Sequence, residues 1–385
     1  MITSRVGVVV SLGRAWSGAQ ELSVDVEGVG PVRSLAYPDL VGDVRPGDHV
    51  VLNTTALDRG LGTGGYAMVI TVLPALGNDP SRPRTAGSPG PGHLVKARYT
   101  PLQTMVLGID EQESPHHDLL RRADDLAGMP VVVADLHSAV PAIVAGARLG
   151  AAQRGDPQPR IVYVMTDGGA LPAGFSRTIA GLRDAGWLAS CITVGQSFGG
   201  DHEAVTVHTG LLAAHVVLDA DLVVVAQGPG NLGTGTRWGF SGVSAGETVN
   251  AVSTLAGNPV ASLRISGADP RDRHLGVSHH SLTAYGRVAL RPADVVVPVL
   301  TGAPSAFAAS GQDPAALDAR IGEQVAALSG AGHHLVTVDT SPELLAALEE
   351  SPVGLSTMGR GLEQDPAAFL GAAVAGLHAA RTVRR

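Results

Sequence analysis

Ile161-Val-Tyr-Val-Met-Thr166-Asp167-Gly168-Gly169 and Leu222-Val-Val-Val-Ala-Gln227-Gly228-Pro-Gly230 share one pattern: a short, mostly β-branched run closed by a polar residue and glycines. Val131-Val-Val-Ala-Asp135-Leu-His137 repeats it. A run that is apolar on both faces suits a strand buried within a parallel sheet. Working outward, further strands are expected at 104–109, 190–194, 260–265, 294–300 and 335–338. Helical stretches fall between them at 115–127, 138–153, 173–186, 204–218, 244–256, 313–329, 342–350 and 364–381, with another near 281–290. Asp313-Pro and Ser341-Pro each place a capping residue before a proline at the first helical position. This alternation predicts an α/β fold with a mainly parallel sheet flanked by helices. Such sheets bind ligands at the carboxyl edge of the strands, where turns can present side chains and backbone N–H groups.

The first residues follow a different rhythm. Short runs at 6–10, 22–26, 32–37, 49–53 and 66–70 are separated by Ser17-Gly18, Gly28-Val-Gly30-Pro31, Pro46-Gly47-Asp48 and Gly64-Gly65. They predict a small N-terminal all-β, barrel-like domain over 1–76. The proline- and glycine-rich stretch 77–92 reads as a linker, leaving 93–385 as the α/β domain that carries the site. The Ala-rich end, 366–385, with its basic tail Arg381 to Arg385, reads as a solvated helix end.

Composition narrows the class. The 385 residues are 44% hydrophobic, with mean hydropathy +0.19, so an ordered core is expected. No run reaches the roughly 18 apolar residues of a membrane span, and no signal peptide is evident, so a cytoplasmic location is expected. A net charge of −8 argues against a general nucleic-acid binder. The single cysteine, Cys191, excludes an internal disulfide and a cysteine-based zinc site. Lys96 is the only lysine, so there is no P-loop, and any Schiff base would have to form there.

Gly228-Pro-Gly230-Asn231-Leu-Gly233-Thr234-Gly-Thr236 fits G-x-G-x-x-G after a strand, and glycines let a backbone approach an anion. Helical pattern resumes only near Ser244, and Arg264 stands where a ribose-binding acid would be, which argues against a dinucleotide fold. A phosphate- or carboxylate-binding loop and a tight structural turn are equal readings. Asp167 suits a general base or a metal ligand, or else an N-cap. Asp135 and His137 would form an acid/base pair on one strand face if the strand persists that far. Gly195-Gln196-Ser-Phe-Gly-Gly-Asp201-His202-Glu203 brings a loop and ionisable groups together, without H-E-x-x-H spacing. Arg271-Asp-Arg273-His274-Leu-Gly-Val-Ser278-His279-His280 is the densest polar cluster: the arginines can grip an anion, and the histidines offer acid/base or metal chemistry.

Four of these phrases together resemble a bacterial family known only as a domain of unknown function. They are Met165-Thr-Asp-Gly-Gly-Ala-Leu-Pro172, Gly195-Gln-Ser-Phe-Gly-Gly-Asp201, Gln227-Gly-Pro-Gly-Asn-Leu-Gly-Thr-Gly-Thr236 and Arg273-His-Leu-Gly-Val-Ser-His-His280. The resemblance covers most of the chain, including the β-rich start. It implies no activity, cofactor or catalytic residue.

Three functions follow as expectations. The first is an enzyme acting on a small anionic metabolite. Asp135, His137, Asp167, His279 and His280 would do its chemistry. Thr166, Gly168, Gln196, Gln227, Gly228, Gly230, Asn231, Gly233, Thr234, Arg271, Arg273 and Ser278 would hold the ligand. The second is a metal-dependent hydrolase drawing ligands from Asp135, His137, Asp167, His202, His279 and His280. The third is a non-catalytic sensor or scaffold that assembles as a homo-oligomer. No cofactor is named by the sequence.

Overall fold

A computed structural model describes residues 2–60, 64–73 and 91–383. Most of the 77–92 linker, residues 77–90, lies outside the described residues, as do 384 and 385. The N-terminal region is a closed barrel of Ser4–Trp16, Ala19–Val26, Gly30–Ala36, His49–Asn53 and Ala67–Val72. Its alternating residues point Val9, Leu22, Val24, Val32, Leu52 and Val69 into a core of its own. Trp16 closes the barrel onto the rest of the chain by donating its indole N–H to the Gly174 carbonyl at 2.6 Å.

The α/β region is built on one eight-stranded sheet. Its order is His202–Glu203, Ser190–Thr193, Ile161–Thr166, Leu222–Gln227, Pro130–Val133, Asn258–Ser262, Asp294–Val299 and His334–Asp339. Every pairing in it is parallel. Val131, Val132, Val223 and Val224 are fully buried, as helix-covered parallel strands require.

The order reverses at one point. From Pro130–Val133 the chain runs through the helix Val140–Gln153 towards Ile161–Thr166. From the adjacent Leu222–Gln227 it runs through Ser244–Thr254 to Asn258–Ser262, in the opposite direction along the sheet. Right-handed crossovers put those helices on opposite faces, so a crevice opens between the carboxyl ends of the two strands.

Four expectations need correction. The 104–109 strand shortens to Thr104–Val106 and pairs with Leu94–Lys96 in a separate hairpin. The 115–127 helix shrinks to His117–Leu120, and the chain runs on without regular structure to a turn at Ala127 and Gly128, both at positive φ. The helix expected near 281–290 begins at His279, with Ser278 as its cap. The Ala-rich C-terminal helix, Pro366–Thr382, is buried over most of its length instead of solvated. It crosses Val140–Gln153 so closely that a Cβ at Gly146 would meet the Ala373 carbonyl at 1.9 Å, and one at Gly376 would meet the Ile143 carbonyl at 1.8 Å. Small residues are what allow the two backbones to touch.

Candidate functional site

The crevice begins at the last residues of the central strands, where two buried tyrosines reach backbone carbonyls. Tyr163 donates its hydroxyl to the Ala226 and Gln227 carbonyls, at 3.1 and 3.0 Å. Tyr285 does the same for Val133 and Ser262, at 2.8 and 3.1 Å. Two buried phenols thus bond to carbonyls at the carboxyl ends of the central strands.

Asp135 and Gln227 form its floor, and both are buried. The Gln227 amide donates to the Asp135 carbonyl at 2.8 Å and to Asn231 Oδ1 at 3.1 Å. Ser241 also donates to Asn231 Oδ1, at 2.7 Å. Asp135 Oδ2 and Gln227 Oε1 have no partner. Thr166, Ser244 and Thr248 complete a water-sized cavity around them. Burial pushes the Asp135 carboxyl up to about 6, against the attraction of the Arg264 charge.

Arg264 follows the neighbouring Asn258–Ser262 strand and links this floor to the histidines. Its Nη1 donates to His280 Nδ1 at 3.0 Å. A guanidinium can only donate, so Nδ1 accepts and the proton of a neutral His280 sits on Nε2. Phe240 stacks on the same ring, with centroids 3.9 Å apart and planes 1° from parallel. His274 and His279 complete a group of three whose ring nitrogens come within 4.8 Å of one another. Ser278 Oγ, 2.7 Å from His274 Nδ1, also accepts the His280 backbone N–H. His279 Nε2 is buried and unpartnered.

Burial, then the Arg264 charge, depresses His274 to about 4 and His280 to about 3. Burial, then the Arg273 and Arg264 charges, lowers His279. The three rings are therefore neutral at pH 7. Among the described residues, five buried side-chain atoms lack partners, and three of them — on Asp135, Gln227 and His279 — belong to this one region. Buried polar atoms normally find partners, so their concentration here marks a place built for something else to bind.

The other expected residues fall into three groups. Arg273 and Asn231 border the region. Arg273 Nε lies 3.4 Å from His274 Nε2, and its Nη2 would be 3.8 Å from a Cβ on Gly235. Arg271 is held at both ends by Asp269, at 2.9 and 2.8 Å, and so has a structural partner instead of a free fork. The glycine-rich loop is not a strand-to-helix phosphate turn. Gly233 bridges Phe240 and Thr234 N donates to the Gly239 carbonyl at 2.7 Å, forming an exposed hairpin beyond Gly230. Gly168 and Gly228 serve close packing: a Cβ at Gly168 would lie 2.6 Å from Gln227 Oε1, and one at Gly228 would lie 2.3 Å from the Ala170 carbonyl.

Several residues lie elsewhere. The Pro130–Val133 strand ends before Asp135, so no period-two pairing with His137 follows. His137 begins a 3-10 turn and points to the Tyr163 hydroxyl at 3.1 Å and Ser176 Oγ at 2.7 Å. Asp167 is not the helix cap; Ser176 has that role for Arg177–Asp184. Asp167 accepts from Gln196 N at 2.8 Å, and Gln196 Oε1 accepts from Arg98 N at 3.0 Å, on a separate open cleft. His202 lines yet another cleft. Lys96 is fully buried against the Ser197 and Ala204 carbonyls and Glu203, which argues against a Schiff base. Sequence reasoning missed Arg264 and Phe240 as site residues; His274 was read as part of the 271–280 polar cluster without a role of its own. Position was the available signal for Arg264, which closes the strand beside the one that ends at Asp135.

Fold and crevice define a doubly wound α/β protein carrying an N-terminal barrel, with a polar site at its topological switch point. The family model described as Protein of unknown function (DUF3866) matches residues 33–376, and the chain belongs to that family. No curated protein matches it. No helix among the described residues is long and apolar enough to cross a membrane.

Proposed function

We propose that the chain is an enzyme acting on a small anionic metabolite, phosphorylated or carboxylated, bound at the switch-point crevice. The observation that carries this reading is the convergence of three partnerless buried atoms with Arg264, Arg273 and three neutral imidazoles. The guanidinium and imidazole N–H groups offer donors to an anion, while the orphaned Asp135 and Gln227 oxygens are acceptors suited to a hydroxyl of the same ligand. Asp135, raised to about 6, is suited to exchanging protons near neutrality, and His279 offers an unpartnered Nε2 to a ligand. The lone Cys191, buried and with its thiol pushed up to about 12 by burial, fits a cytoplasmic protein that needs no disulfide.

The three clustered ring nitrogens also support a second reading, a metal centre. The Arg264–His280 bond weighs against it. A metal-bound imidazole normally donates its other N–H to an acceptor, whereas this one receives a hydrogen bond from a cation.

The test is thermal unfolding with chelator present, comparing inorganic phosphate, sulfate and small carboxylates. An anion at ten times its Kd stabilises by about 1.4 kcal/mol. The stabilisation should be lost in Arg273→Ala, whose exposed side chain is not needed for folding. Stabilisation by zinc or manganese alone, with no anion effect, would replace the first reading by the second.

A further inference from the structure

The described residues include a second, larger concavity with different chemistry. A cleft of about 800 Å³ lies where the barrel meets the α/β region. The barrel contributes Leu40, the Leu94–Lys96/Thr104–Val106 hairpin contributes Met105, and loops at the sheet edge contribute Pro172 and Phe198. Drug-sized ligands fill clefts of roughly 300–1,000 Å³ with mostly apolar walls, often at domain junctions. The walls are fixed in place. Trp16 ties the barrel to Gly174, and Gly18 packs against the same residue. Lys96 and Glu203 form a buried ion pair at 3.2 Å, with Glu203 also accepting from Thr193 Oγ1 at 2.7 Å and Gly199 N at 2.6 Å.

Charge sets the ligand class. Among the described residues, no arginine or lysine lines the cleft. Of its carboxylates, Glu203 is paired with Lys96 and Asp201 with Arg183, leaving Asp39. His116 and His202 line it as well, and neither ring is hydrogen-bonded within the described residues. Burial, then the nearby His116 and Arg183, keeps His202 below its ordinary value. The cleft thus offers an apolar surface from Leu40, Met105, Pro172 and Phe198, neutral polar groups from Tyr37, Gln103 and Thr104, two imidazoles and, among the described residues, no cation to attract an anion.

From this we infer that the junction cleft is a separate binding site for a neutral small molecule, whose apolar frame lies on Leu40, Met105, Pro172 and Phe198 and whose polar end meets His116 and His202. This goes beyond the anion site and does not depend on it. It also gives the barrel a role, as one wall of a ligand site.

The test uses two fluorophores on the full chain that share an aromatic frame: neutral N-phenyl-1-naphthylamine and its sulfonated anionic relative, 8-anilinonaphthalene-1-sulfonate. The neutral probe should bind saturably at one site, at least tenfold more tightly than the anionic one. Leu40→Asp and Met105→Asp should each weaken it at least tenfold while far-UV circular dichroism and melting temperature hold. Leu232→Asp, on a distant exposed loop, should leave binding unchanged, as should 10 mM inorganic phosphate. The inference is overturned by the absence of saturable binding, by equal binding of the two probes, by displacement with phosphate, or by wild-type affinity in both cleft variants.

Discussion

Replacing Asp135 by asparagine should stabilise the protein at neutral pH. The native carboxyl is raised from 3.8 to about 6 because it is buried with one oxygen unpartnered. The folded state therefore binds a proton more tightly than the unfolded chain, and ionising the group at pH 7.5 costs folding about 3 kcal/mol. Below 3.8 the carboxyl is protonated in both states and the cost vanishes. The asparagine side chain would carry no charge, and its amide N–H could reach the orphaned Gln227 Oε1. The expected gain at pH 7.5 is about 1–3 kcal/mol, read as a rise in melting temperature of roughly 1–4 °C for a chain of 385 residues. The same comparison at pH 4 should show little or no gain. A functional site held at the expense of stability behaves this way. Destabilisation at pH 7.5, or a gain that persists unchanged at pH 4, would refute the reasoning about this carboxyl.

Three further outcomes are expected. Gly376→Ala places a methyl group against the Ile143 carbonyl and should lower thermal stability by more than about 2 kcal/mol, whereas alanine at the uncrowded, helical Gly322 should not. Lys96→Met leaves Glu203 buried without its cation and should cost about 3–5 kcal/mol by urea unfolding, most of it recovered in the double variant Lys96→Met/Glu203→Leu. Acid should destabilise early: His137, His274 and His280 are depressed from 6.5 to about 4, 4 and 3, so the unfolded chain takes up protons first as pH falls through 6.5. Stability should then fall by up to about 1.4 kcal/mol per pH unit for each ring, partly offset by Asp135. A melting temperature that is flat from pH 7 to 5 would contradict those environments.

The strands were legible because their signal is local. Val131–Val133 and Val223–Val225 are apolar on both faces, and no other short element demands that. His202–Glu203 was not legible, since two residues become a strand only by lying against Ser190–Thr193. The C-terminal helix was misread because its alanines and glycines fit a solvated helix as well as one pressed against another backbone. In the site, Asp135, Gln227, His279 and His280 were readable as polar residues at strand ends and in a dense loop. Arg264 was not singled out, because its significance depends on which strand lies next to which. The glycine-rich phrase stayed ambiguous for a related reason: G-x-G-x-x-G records backbone freedom, and here Gly228 uses it to pack against Ala170 while Gly233 enters a hairpin.

The most direct measurement is a long-range ¹⁵N–¹H correlation spectrum of histidine-labelled protein at pH 6.0, with and without inorganic phosphate under chelator. Neutral signals for His274 and His280, assigned by single substitution, and phosphate-induced shifts of the His274, His279 and His280 signals are the predicted result. Protonated rings titrating near 6.5, or signals indifferent to phosphate but moved by zinc, would contradict an anion site made of neutral imidazoles.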